Sequence, residues 1–199
     1  MSAAVMPLPD RLPLPFDPAM APAERSGLLV AAFPDTVRQV LAAGRLEQQP
    51  RFGENGFEGL QEIWSPPPTV SARQAAMAQR VLYELDTTVL APADPEHVLG
   101  RVLALLSHFA AKGLTPEVEQ MVAMDWVEDL GEFPAWAIDT AARNWRRTRK
   151  WRPSIAEMRA LCEEACAAER AVAQRLRQIA RAVAGTSPGT GLSAVRRFP

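Results

Sequence analysis

The sequence predicts an all-α protein: a small antiparallel helical bundle with a long C-terminal helix and a Pro-rich, disordered N-terminal arm. Three observations carry this. The 199-residue chain is 48% apolar but only 7% aromatic, with a single Tyr. Ala, Leu, Arg and Glu dominate, and no Val, Ile or Thr run alternates with period two, which is a helical composition. From Val70 onward, apolar residues recur at helical spacing between short connectors that carry capping residues. The length allows one domain or two. The expected divisions are an arm at 1–22, a loosely structured stretch at 23–69, a bundle at 70–183 and a disordered tail at 184–199.

Six prolines, Pro7, Pro9, Pro13, Pro15, Pro18 and Pro22, make the arm extended and mobile. It is either a docking peptide or a bare tail. Residues 24–44 predict one or two short helices, the second capped by Asp35 and ended by Gly44. Residues 45–68 read as loop, with Gly53, Gly56 and Gly59 followed by Pro66-Pro67-Pro68. Ser71 to Leu85 is the first strong helix. Asp94 or Pro95 opens the next, to Ala111, burying Val98, Leu99, Val102, Leu105, Leu106 and Phe109 and leaving His97, Arg101 and His108 outside. Thr115 caps a further helix, with Pro116 at its first position and Val122, Trp126, Val127 and Leu130 inward. Gly131 ends it.

A helix starting near Pro134 then places Ala137, Ile138, Ala141 and Trp145 on one face and Trp136, Arg143 and Arg147 on the other. Pro153 disfavours a helical Arg152. Ser154 to Glu157 has capping-box spacing. The last helix, 155–183, spans about 43 Å. Ile155, Met158, Cys162, Ala165, Val172, Leu176, Ile179 and Val183 keep a seven-residue repeat that Glu169 interrupts. Such a length leaves its second half to project, to pack on a partner or to form a homodimer through 154–183.

Net charge is −1, so no global field attracts nucleic acid. The charge is segregated, however. Residues 113–142 hold seven acids and no Lys or Arg. The next ten hold six bases and no acid: Arg143, Arg146, Arg147, Arg149, Lys150 and Arg152. With Trp136 these form a candidate nucleic-acid or partner surface, cations for phosphates and an indole for stacking. The alternative is a dipole-compensating helix end whose arginines pair with the acidic helix before it.

No GxxxxGK[ST], HExxH, CxxC or GxSxG occurs, so no enzyme and no cofactor is expected. His97 and His108 are about 16 Å apart along one helix and cannot share a metal. Cys162 and Cys166 read as small core or interface residues. No signal peptide or membrane-length apolar run is present, and the expectation is a soluble cytoplasmic protein.

Trp126, Leu130, Phe133, Ala137, Ala141 and Trp145, with the run Arg149-Lys150-Trp151-Arg152-Pro153-Ser154-Ile155-Ala156-Glu157, resemble the signature of phage replicative-helicase loader/inhibitor proteins. The resemblance covers roughly 95–165. It implies a helical bundle, without an ATPase site, that binds a hexameric replicative helicase during phage or prophage DNA replication. It also implies that 184–199 is the counterpart of a helicase-binding segment. Within the pattern, Trp126, Trp145, Trp151, Pro153, Ser154 and Glu157 are expected to be structural.

Overall fold

The structure is a computed structural model. It describes residues 14–54, 56–109, 113 and 115–182. The described residues form seven helices and one two-stranded antiparallel sheet. These are α1 (Pro22–Ala31), α2 (Asp35–Ala43), β1 (Arg45–Gly53), β2 (Gly56–Ser65), α3 (Ala72–Thr87), α4 (Pro95–Leu106), α5 (Pro116–Leu130), α6 (Ala135–Thr148) and α7 (Ile155–Ala182).

The hairpin overturns the all-α expectation, and the loop-like reading of 45–68 with it. β1 and β2 pair from Arg45↔Ser65 to Gly53↔Gly56, with an irregularity at Arg51/Phe52. An Asn55-Gly56 pair in the sequence was the available signal, because such a pair suits a tight hairpin turn. Gly56 has φ +101°, a conformation glycine adopts without a Cβ penalty. Pro50, three glycines and the irregular register masked the strand periodicity. Nearly every strand residue is exposed, so no buried face imposed a clean alternation. The hairpin is anchored at its base, where the buried Trp64 ring lies so close to Gly44 that a Cβ there would collide with it.

Two apolar cores are stacked end to end. The first joins α4, α5 and α6 to the start of α7 through Val102, Leu130, Phe133, Ile138, Trp145 and Met158. The second joins α1, α2 and α3 to the end of α7 through Leu29, Val37, Val81, Leu85, Leu176 and Ile179. α7 is the shared spine. Its second half does not project: α3 covers it, with Arg177 bonding Asp86 at 3.1 Å through both carboxylate oxygens. The stripe assigned to a 154–183 homodimer is therefore occupied within the chain, from Met158 to Ile179.

Residues 23–69, expected to be loosely structured, hold α1, α2 and the hairpin, and the two helices share the second core. Part of the expected mobile arm is also packed. Leu14 is buried and Phe16 lies 4.9 Å from the Trp136 ring, centre to centre. Residues 1–13 and the tail at 184–199 lie outside the described residues. α4 stops at Leu106 rather than Ala111, and two successive turn hydrogen bonds, to Leu105 and Leu106, follow it. No helix of the described residues is long and apolar enough to cross a membrane.

Candidate nucleic-acid or partner interface

α6 ends in the basic stretch. Arg149 N–H donates to Trp145 O at 2.8 Å and closes the helix. Trp145 is buried, and its indole N–H donates to Trp151 O at 2.8 Å, which ties the exit segment to the core. The Trp151 ring stands edge-on to Trp145, 6.3 Å away, and is 54% exposed. The Arg149 guanidinium lies 5.6 Å from the Trp151 ring centre and 5.7 Å from that of Trp145, a cation–π arrangement.

The capping box forms as its spacing requires. Glu157 N–H donates to Ser154 Oγ at 3.3 Å, and Ser154 N–H donates to the Glu157 carboxylate at 2.9 Å. The Ser154 N–H and, at 2.8 Å, the Ser154 hydroxyl both donate to the carboxylate and hold the Glu157 carboxyl below its ordinary value of 4.5. Pro153 is buried beside the box. The entry angle of α7 is thus set within six residues of the basic exit.

Arg143, Arg146, Arg147, Arg149 and Lys150 are exposed. Among the described residues none of them, nor Arg152, lies within ion-pair distance of a carboxylate, although Arg149 is near enough to Glu157 to help lower its carboxyl, and three acids of the preceding stretch are engaged elsewhere. Glu132 and Asp129 hold Arg159 of α7. Asp139 receives Arg101 at 2.5 Å and faces His97 Nε2 at 3.1 Å. The pairing of this basic stretch with the preceding acidic helix is therefore not what the fold makes. What remains is a cationic ridge, with Trp151 as its exposed aromatic ring.

Trp136 does not belong to the ridge. Its indole N–H donates to Val89 O at 2.7 Å. Phe16 packs on its ring, and the Arg25 guanidinium sits 4.6 Å from the ring centre. Arg25 is itself buried and bonds Glu169 through Nε at 2.7 Å and Nη2 at 3.0 Å. The residue that interrupts the seven-residue repeat of α7 is thus half of a buried bidentate ion pair where the two cores meet. Helical spacing assigned Trp136 to the outer face with Arg143 and Arg147, whereas in the fold Trp136 packs against the first core. It missed that 16–25 covers that face at its first turn.

Cys162 and Cys166 are buried and unpaired with each other. Burial pushes the Cys162 thiol up to about 12 and raises Cys166 in the same direction. Among the described residues no three His, Cys, Asp or Glu side chains gather as metal ligands would.

Among the described residues, the fold is mostly helical with a single β-hairpin and carries an exposed cationic ridge at the end of α6. No family model matches this chain, and neither a curated protein nor a solved structure shows significant similarity to it.

Proposed function

We propose that the protein is a non-enzymatic adaptor of phage or prophage DNA replication that engages nucleic acid through the 143–152 ridge. The observation that carries the reading is the ridge itself, six bases in ten residues, none within ion-pair distance of a carboxylate among the described residues, with the exposed Trp151 among them. Phosphates would replace counterions along it, and the Trp151 ring offers a stacking platform to an unpaired base. Binding should weaken steeply with salt. Replacing Arg143 and Arg147 with Ala should reduce the slope of log affinity against log salt by about one per residue removed, with the fold intact. Unchanged affinity and slope in that variant, measured by fluorescence anisotropy on single- and double-stranded DNA, reject this surface.

A replicative helicase is the protein partner in this reading. Its support is the resemblance of the Trp126 to Arg159 pattern to helicase loader/inhibitor proteins. Co-purification with the host helicase tests it, and no complex at micromolar concentrations sinks it.

A further inference from the structure

The hairpin is amphipathic, although its exposure hides the fact. In its register Leu46, Pro50 and Phe52 stand opposite Trp64, Leu60 and Phe57, and facing residues of paired strands share one side of a sheet. Only the Gln48–Glu62 pair interrupts this face. Trp64 is buried at the base, whereas Leu46, Phe52, Phe57 and Leu60 are between 59% and 70% exposed. A two-stranded hairpin is marginal in water without cover, and a contiguous apolar patch marks an interaction surface.

The same face carries a projection at one end and a recess at the other. At the tip, Phe52 and Phe57 meet edge-on at 5.9 Å. At the base lies a groove of about 610 Å³, lined by Leu46, Trp64, Ala167 and Ala171 and also by polar side chains, Glu62, Arg170 and Arg175 among them. The charges are complementary in the same sense. The tip turn bears Glu54, Glu58 being paired with Arg51 at 2.9 Å, while Arg175 in the groove has no ion-pair partner among the described residues.

We propose that the hairpin is a self-association arm. Two copies lie antiparallel and face to face, each seating its Phe52–Phe57 tip in the groove between the other's hairpin base and α7. Tip and base are about 20 Å apart at ~3.4 Å per residue, so one two-fold overlap engages both ends at once, as a closed isologous pair requires. The four exposed side chains offer roughly 450 Å² a copy. The total for two is about 900 Å², close to the ~1,000 Å² of a specific interface before α7 contributes. A second copy fits better than an unrelated protein because the aromatic projection beside Glu54 and the recess beside Arg175 are carried by one hairpin and the helix next to its base. This inference is independent of the ridge.

Sedimentation of the full chain over a range of concentrations tests it. The expected result is a dimer that dissociates on dilution. Phe52→Ser with Phe57→Ser should give a monomer with unchanged helical circular dichroism. Arg175→Glu should weaken the dimer roughly tenfold, and Glu54→Arg added to it should restore most of the loss. A wild-type chain that stays monomeric at high micromolar concentration assigns the face to a different protein and overturns the proposal. A dimer undiminished in the double Phe variant overturns it equally. If that variant misfolds, the charge swap decides: failure of Glu54→Arg to rescue Arg175→Glu counts against the arrangement.

Discussion

At the scale of single residues, the informative positions are Trp136, Glu169 and the two cysteines. Periodicity places Trp136 on the polar side of α6, where truncation should scarcely affect folding. Its bond to Val89 O and its contacts with Phe16 and Arg25 say otherwise. We expect Trp136→Ala to cost about 3 kcal/mol, comparable with Trp145→Ala, in paired thermal melts. Glu169→Ala leaves Arg25 buried without its counter-charge and should cost about 3–5 kcal/mol. Replacing both Arg25 and Glu169 with apolar residues of similar volume should recover much of that loss, since two desolvation costs vanish together. A double variant as unstable as the single one would refute this account. The raised Cys162 and Cys166 thiols predict slow alkylation by iodoacetamide in the native state and fast alkylation in denaturant. Fast native labelling would contradict their burial.

At the scale of elements, α7 and its cap were the most legible part of the chain. Ser154 and Glu157 are three apart, Pro153 precedes them, and the observed helix begins at Ile155. Ser154→Ala should lower stability by about 1 kcal/mol as a lost N-cap. The pH dependence follows from the depressed Glu157 carboxyl. A carboxyl held below its unfolded value stabilises the fold above 4.5, and the stabilisation is lost as pH falls through the lower folded value. Glu157→Gln should remove that acid-side component, seen as a flatter melting temperature between neutral and acid pH. An identical profile in wild type and variant would show that the box contributes nothing. The hairpin was the least legible element. Its anchoring contacts are few, so its strands carry little of the alternation that burial imposes, and Asn55-Gly56 was the one local clue.

At the scale of the whole molecule, α7 crosses two cores, and the Arg25–Glu169 pair stands where they join. Glu169 reads as a flaw in a dimerisation seam when α7 is considered alone. In the fold it is the partner of a residue 144 positions earlier. The two ends of the molecule should melt together, because one uninterrupted helix supplies both cores and the buried pair links them. Coincident unfolding curves from Trp fluorescence and far-ultraviolet circular dichroism check this, and separated transitions would show two independent units. Salt should weaken ridge binding far more than it weakens that pair. Ridge binding is screened, whereas the Arg25–Glu169 pair, excluded from water, is screened far less.

Sequence alone determined what local chemistry controls. The starts of α3, α4 and α7 follow from the caps Ser71, Asp94 and Ser154, and that of α5 from Pro116, since Thr115 stands at the cap position without a side-chain cap bond; most inward residues of α4, α5 and α6 follow from spacing. The segregation of charge into an acidic stretch and a basic one is also a sequence property. Tertiary structure decided everything that depends on which segment returns to cover which face. It docked 16–25 onto α6 and removed Trp136 from the ridge. It drew Asp129, Glu132 and Asp139 to Arg159 and Arg101 and set no carboxylate of the described residues within ion-pair distance of the ridge cations. It folded α1 to α3 onto the second half of α7, closing a seam that had looked open. The physical reason is common to all three: helical period reports how a helix is sided, whereas burial and ion pairing between distant segments depend on packing that no local period encodes.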